Sequence, residues 1–81
     1  MAGGWFLYVI ECVDGSLYTG ITTDPAARFA AHAAGKGARY MRSHPPARLA
    51  LTEPHPDRSS ASKAEYAFKQ LSAAQKRRRV G

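Results

Sequence analysis

Two runs rich in β-branched and aromatic residues open the chain and flank an Asp14-Gly15 pair. The first, residues 5–12, is apolar at both odd and even positions, which predicts a central strand that is covered on both faces. The second covers residues 16–22, and the two runs together predict a β-hairpin. Because glycine weakens the interior of a strand, Gly20 in the second run predicts a bulge or the close approach of another group.

The length of the hairpin loop decides on which faces the two tyrosines of the runs lie. A two-residue Asp-Gly turn would pair Tyr8 with Ile21, which puts Tyr8 and Tyr18 on opposite faces of the sheet. A three-residue loop with Gly15 in the left-handed conformation pairs Tyr8 with Gly20, and the tyrosines then share a face. Since Gly15 has no Cβ to clash in that conformation, we predict the three-residue loop.

Helical periodicity follows the hairpin. Asp24 and Pro25 are typical of an N-cap and a first helical position, and the helix is predicted to end near Ala34, where Gly35 supplies the stop. Apolar residues spaced by three and four positions are predicted to form its buried stripe, namely Ala26, Phe29, Ala30 and Ala33.

The second half of the chain predicts one more strand and a long helix. The strand is expected over residues 48–53, followed by a loop over residues 54–57. The helix is expected to start at Ser59 or Ser60 and to reach Leu71. Its inner face is predicted to carry Ala61, Ala64, Phe68 and Leu71.

Residues 72–75, Ser-Ala-Ala-Gln, have the pattern of a capping box and predict a last short helix. The predicted order is therefore β-β-α-β-α-α. It describes an α/β domain in which helices flank a small three-stranded antiparallel sheet. The 81 residues are enough for one modest core, so we expect a single domain over residues 1–81.

The charge of the chain predicts a polyanionic partner. The formal net charge is +6 and the isoelectric point is near 10.0, with only six acidic residues. Nucleic acid is the simplest partner of such a domain, and a basic protein without a polyanionic partner is the alternative. The single cysteine excludes an intrachain disulfide and a cysteine-based zinc site. No run approaches membrane-spanning length, so a cytoplasmic protein is expected.

Two tripeptides and three further features carry a resemblance to a known family. Residues 7–9, Leu-Tyr-Val, and residues 18–20, Tyr-Thr-Gly, resemble the two tripeptides that name the GIY-YIG nuclease superfamily. The likeness continues through Arg28, the segment 35–40 and Glu65, so it covers most of the chain. More closely, the chain resembles the short single-domain bacterial branch. The resemblance implies a small antiparallel sheet and a metal-dependent endonuclease.

The resemblance also implies a role for each residue of a catalytic site. Tyr18 would be the general base, and Tyr8 would orient the water or the phosphate. Arg28 would brace the scissile phosphate through its planar charged fork. His32, one turn further along the helix, would hold a phosphate or shuttle a proton. The alternatives are ordinary: half-buried packing tyrosines, a solvated arginine and a partly exposed histidine.

Glu65 is the one acidic residue inside a predicted helix, and it resembles the metal-binding glutamate of the family. With so few carboxylates, the chain permits one divalent ion held by one carboxylate and waters, for which Mg²⁺, or Mn²⁺ in its place, is suited. Two alternatives remain. Glu65 could complete a capping box with Ser62, or it could form an ion pair with Lys69 one turn away.

A basic, aromatic segment follows the first helix. Its residues suited to phosphates and an unstacked base are Lys36, Arg39, Tyr40 and Arg42. Such a patch contributes affinity with little sequence specificity, and it suits RNA as well as DNA. We expect DNA as the substrate, with selectivity from nucleic-acid structure, a partner protein or dimerisation, and a link to DNA repair or recombination as the resemblance implies.

One departure from the family supports a different function. Many nucleases of the superfamily carry a lysine directly after the second tripeptide, where this chain has Ile21. The alternative is therefore a non-catalytic nucleic-acid-binding module that keeps the fold. Retention of both tyrosines together with Arg28 and Glu65 argues against it. A small protein-interaction domain is a third alternative, and it would give Arg28 and Glu65 no joint purpose.

Overall fold

The computed structural model describes residues 4–35 and 43–81. Its elements are β1 (Trp5–Cys12), β2 (Leu17–Thr22), α1 (Pro25–Ala33), β3 (Pro46–His55), α2 (Arg58–Lys69) and α3 (Ala73–Val80). The three strands form one antiparallel sheet in the order β2-β1-β3. The predicted α/β class, the element order and the central position of the first strand are confirmed.

The hairpin between β1 and β2 has the predicted three-residue loop. Tyr8 lies opposite Gly20, and the Cys12 N–H donates to the Ser16 carbonyl at 2.8 Å. Gly15 has a φ of 87° and donates its N–H to the Cys12 carbonyl at 2.9 Å. Since this register joins residues of equal parity, the tyrosines of β1 and β2 lie on the same face of the sheet.

Side-chain alternation along β1 divides the sheet into two faces. The Tyr8 face consists of Tyr8, Ile10 and Cys12, packed against Tyr18, Phe29 and Leu49. The Val9 face consists of Val9, Phe68 and Val80, packed against Leu17, Ala50, Leu51 and Leu71. Phe29 belongs to α1, whereas Phe68 and Val80 belong to α2 and α3. One helix therefore covers the Tyr8 face, and the other two cover the Val9 face.

The predicted buried stripe of α1 is wrong. Ala26, Ala30 and Ala33 are exposed, while Phe29 is half-buried. The buried residue of the helix is His32, with 2% of its surface exposed. Alanine removes little apolar area from water, so the orientation of the helix is set by its two larger rings. His32 consequently lies in the interior of the domain and is not the partly exposed histidine of the alternative interpretation.

Four boundaries in the second half also differ from the prediction, namely both ends of β3 and both ends of α2. β3 runs from Pro46 to His55, beyond the predicted 48–53, because an edge strand tolerates proline. The N-cap of α2 is Asp57, whose carboxylate accepts the Ser60 N–H at 2.8 Å. The helix therefore begins before the serines that were predicted to cap it. It ends at Lys69, two residues earlier than predicted.

The last helix begins with the predicted capping box. The Gln75 N–H donates to Ser72 Oγ at 3.2 Å, and the Ser72 N–H donates to Gln75 Oε1 at 2.9 Å. Basic residues of α3 then fasten it to the sheet. Arg77 donates to Glu11 at 2.8 Å, and Arg79 donates to Glu53 at 3.1 Å. These cations stabilise the fold by pairing with carboxylates of β1 and β3.

Candidate active site

Gly20 allows the ring of Tyr8 to lie against β2. A Cβ at this glycine would stand 2.7 Å from Tyr8 Oη and 3.0 Å from its Cζ, closer than real side chains approach. The close approach predicted from the sequence is therefore made by the Tyr8 side chain itself. The final glycine of the second tripeptide is needed because it leaves space for the tyrosine of the first.

Three aromatic rings meet on the Tyr8 face. The ring centroids of Tyr8 and Tyr18 are 6.4 Å apart, and those of Tyr8 and His32 are also 6.4 Å apart. His32 stands edge-on to Tyr18, at 5.4 Å and 72°, a geometry that aromatic pairs favour. The shared face of the tyrosines follows from the hairpin register. The inward position of His32 does not follow from helical periodicity, and sequence reasoning missed it.

The Tyr8 hydroxyl is held in its protonated form. Burial is the largest cause that raises the pKa of Tyr8 to about 12, and it is followed by charge repulsion from Tyr18. Arg28 opposes the increase, whereas the negative charge of Glu65 and a hydrogen bond with Tyr18 add to it. Tyr8 is consequently a hydrogen-bond donor at neutral pH. Arg28 on α1 and Glu65 on α2 both act on this phenol.

His32 is held neutral by its surroundings. Burial lowers the pKa of its imidazole, and the nearby positive charge of Arg28 lowers it further. Arg28 itself lies on the exposed side of α1, one turn before His32. A neutral imidazole in the interior and an exposed guanidinium beside it are suited to different tasks: the first to orienting neighbouring groups, and the second to contacting an anion.

Two alternatives to metal binding were predicted for Glu65, and the structure shows one of them. Because α2 already begins at Arg58, Ser62 lies inside the helix and the capping box with Glu65 is not formed. The ion pair with Lys69 is formed, at 3.1 Å from Lys69 Nζ to Glu65 Oε2. The charge of Glu65 also raises the pKa of Tyr8. The carboxylate therefore acts electrostatically on Tyr8 in addition to pairing with Lys69.

The other acidic residues are engaged elsewhere. Glu11 pairs with Arg48 and Arg77, Glu53 with His55 and Arg79, and Asp14 with His44. Asp24 and Asp57 cap the first two helices. Among residues 4–35 and 43–81, no group of three or more histidine, cysteine or carboxylate side chains could hold a metal. A single carboxylate with water ligands fits the coordination of Mg²⁺, which keeps several waters.

The predicted nucleic-acid segment lies outside the described residues, so the structure gives no geometry for Lys36, Arg39, Tyr40 or Arg42. Within the described part of the chain, every helix is too short or too polar to cross a membrane.

Comparison with known proteins finds one family throughout. The model of the GIY-YIG catalytic domain matches residues 4–78. A UPF0213 protein of Cupriavidus pinatubonensis is 57% identical over 72 residues, which are 89% of this chain and 80% of the relative. The solution structure of a UPF0213 protein from Bacillus halodurans has 45% identity and a TM-score of 0.60, over 94% of this chain and 81% of that one. The structure of protein EF2693 from E. faecalis has 42% identity and a TM-score of 0.61, over 93% and 80%. The chain therefore belongs to the GIY-YIG family, and its relatives are short UPF0213 proteins.

Proposed function

We propose that this protein is a metal-dependent endonuclease that hydrolyses phosphodiester bonds of DNA. One observation carries the proposal: four side chains from three further elements act on the buried phenol of Tyr8. Tyr18 and His32 reach it through ring contacts, and Arg28 and Glu65 reach it through their charges. A packing tyrosine does not need the charges of a cation and a carboxylate acting on it, whereas a phosphodiesterase uses a cation to stabilise the phosphate oxygens and a carboxylate to hold a metal ion.

The two tyrosines differ in what they can do. Tyr8 stays protonated, so it is unsuited to accept a proton and suited to donate a hydrogen bond. Tyr18 is more exposed, and it is the phenol that an attacking water can approach. A free phenol with a pKa of about 10 keeps its own proton at neutral pH, so Tyr18 can accept a proton from water only as the phenolate, which nearby positive charge stabilises. Tyr8 orients it through their hydrogen bond.

Arg28 and His32 take separate roles in this site. The exposed guanidinium of Arg28 donates parallel hydrogen bonds to the scissile phosphate and stabilises the charge that develops on its oxygens. His32 is too deeply buried to hold a phosphate, so its edge-on contact orients the Tyr18 ring. This assignment narrows the role expected from the sequence.

Glu65 is the proposed metal ligand. When bound, a divalent ion such as Mg²⁺ or Mn²⁺ supplies Lewis-acid stabilisation of the phosphate oxygens. Through this carboxylate α2 contributes a residue to the proposed site. Its negative charge balances nearby positive charge, such as that of Lys69. The ion pair with Lys69 engages one of the two carboxylate oxygens, Oε2, so the other oxygen would be the one to hold a cation.

The proposed selectivity is for the structure of the nucleic acid. We take residues 1–81 as a single domain, and we expect its selectivity to come from DNA structure, a protein partner or a second copy of the chain. We expect such an enzyme to act in the cytoplasm and to take part in DNA repair or recombination.

A non-catalytic nucleic-acid-binding module is the second candidate. Two observations favour it: Ile21 replaces the lysine that many family members carry, and Lys69 already neutralises Glu65. This candidate predicts tight DNA binding without turnover.

Cleavage of a DNA panel tests the two candidates. Labelled single-stranded, flapped, branched, nicked and duplex DNAs are incubated with Mg²⁺ or Mn²⁺, and then with a chelator. The nuclease cuts at least one substrate only when metal is present, and Glu65→Gln abolishes cutting while binding persists. Glu53→Gln is the matched control. This carboxylate of β3 pairs with Arg79 of α3, so it should not be needed for cutting. Tight binding with no cutting of any substrate would establish the binding module instead.

A further inference from the structure

The outer face of α2 carries an exposed stripe of side chains around Tyr66, to which the proposed chemistry assigns no role. Exposed residues along it are Ser59, Ser62, Lys63, Tyr66 and Lys69 of the helix and Gln70 just after it, and the exposed Arg58 and Ala67 lie at its two edges. The first six lie within one stripe of the helix, since they are spaced by three and four positions. The stripe contains one aromatic ring, no carboxylate and two cations, of which Lys69 is paired with Glu65, so an anion with a flat apolar part complements it.

Tyr66 is the centre of this stripe. Its side chain is 69% exposed, and Val13, at 67%, is the other exposed large apolar residue among those described. Lys63 lies one turn before Tyr66 and Lys69 one turn after it, so the two lysines flank Tyr66 along the helix surface. An exposed aromatic ring between cations is the arrangement with which proteins bind unpaired nucleotides: the base stacks on the ring and the phosphates contact the cations.

The stripe is continuous with the candidate active site. Successive residues of a helix are rotated by about 100°, which places Lys69 between Glu65 and Tyr66 around the axis of α2. Lys69 contacts Glu65 at 3.1 Å. A DNA strand with a phosphate at Glu65 would therefore reach Tyr66 with its neighbouring nucleotides.

We propose that Tyr66 is a stacking platform for an unpaired base of the DNA strand, with Lys63 and Lys69 on its phosphates. In a continuous duplex both faces of each base are covered by its neighbours, so the platform selects DNA that has a single-stranded segment, such as a flap or a free strand. The selection of a cleavage substrate rests on the proposed function. Binding of the unpaired base does not, because it needs neither metal nor turnover.

Fluorescence anisotropy in the presence of a chelator tests the proposal. The probes are a fluorescein-labelled single strand, a duplex with a 5′ flap and a blunt duplex of the same length. Tyr66→Ala is expected to weaken binding of the first two probes by about fivefold or more, and binding of the blunt duplex by less than about twofold. Tyr66→Phe keeps the stacking surface and should bind like the wild type. Val13→Ala is the matched control for truncation of an exposed apolar side chain.

Lys63→Ala separates stacking from charge. It should weaken binding of all three probes to a similar extent and reduce the dependence of affinity on salt by about one phosphate contact. Equal affinity of wild type and Tyr66→Ala for the single strand would overturn the proposal, as would an equal loss on all three probes.

The proposed function can fail separately. If the wild type binds single strands through Tyr66 but cuts nothing with Mg²⁺, the platform stands and the nuclease does not. If the wild type cuts and Tyr66→Ala binds single strands normally, the nuclease stands and the platform does not.

Discussion

The two faces of the sheet differ in what they bury, although both are built on the same strand. The Val9 face packs Val9, Phe68 and Val80 into an apolar cluster. The Tyr8 face buries one phenol and an imidazole beside a second, half-buried phenol and the apolar residues, with the charges of an arginine and a carboxylate acting on Tyr8. Burial of polar groups costs free energy unless they are satisfied. The difference supports the proposal that one face stabilises the domain and the other carries the active site.

This division would allow so small a domain to hold the proposed active site. Because β1 is central, its alternate residues reach both layers of helices, and a single strand supports a core on one side and a site on the other. The three covering helices are divided accordingly. α1 supplies Arg28 and His32 to the proposed site and α3 supplies Val80 to the apolar core, while α2 supplies Phe68 to the core and Glu65 to the proposed site.

Truncation of the Val9 face should have the largest effect on stability. Phe68 is 1% exposed, so Phe68→Ala should lower the free energy of unfolding by about 3–5 kcal/mol through lost burial and a cavity. Tyr66→Ala, an exposed aromatic of the same helix, is the matched control and should change it by less than about 0.5 kcal/mol. Urea unfolding measures both. Similar values for the two variants would remove the distinction between core and surface on α2.

Filling the space above Gly20 should disturb the Tyr8 face. The new Cβ of Gly20→Ala meets Tyr8 Oη at 2.7 Å, so the ring must move, at a cost of about 1–3 kcal/mol. Tyr8→Leu removes the ring, and in that background the same glycine substitution should cost less. A double-mutant cycle of unfolding free energies measures this coupling. Additive effects would show that Gly20 and Tyr8 do not depend on each other.

The smallest effect concerns pH. Burial and Arg28 lower the pKa of His32 in the folded protein below its ordinary value of 6.5. Below about pH 6.5 the unfolded chain therefore binds more protons at this residue, and stability should fall as the pH is lowered through that region. Unfolding free energies at pH 7 and pH 5 measure the fall. His32→Gln should show a smaller fall than the wild type, whatever its stability at pH 7. An identical fall in both proteins would contradict the burial of a neutral His32.

The sequence was informative where local chemistry decides the structure. Gly15 fixed the hairpin loop and thereby the shared face of Tyr8 and Tyr18. Ser72 and Gln75 fixed the start of α3 through a capping box. In these cases the deciding interactions join residues close in the chain, so the pattern of residue types carries the information.

The sequence was misleading where packing between distant elements decides. The alanines of α1 have helical periodicity but little area to bury, so contacts with the tyrosines of the sheet turned His32 inward. The start of α2 was misassigned because several residues near it, Asp57 among them, are good N-caps. The charge effect of Arg28 and Glu65 on the phenol of Tyr8 depends on three elements meeting, which no single stretch of sequence encodes.

Cleavage and unfolding measured on Tyr18→Phe test the central claim most directly. The substitution removes only a hydroxyl from the Tyr8 face. It should reduce the rate of metal-dependent cleavage by about 100-fold or more, as expected for loss of a general base, and change the unfolding free energy by only about 1 kcal/mol.

Thr19→Val is the control. It removes a hydroxyl from the next residue of β2, which lies opposite Val9 and donates to the Tyr8 carbonyl at 2.9 Å. It should cost similar stability and leave cleavage within a fewfold of the wild type. If Tyr18→Phe cuts DNA at the wild-type rate, the Tyr18 phenol is a packing group and the division between the two faces is wrong.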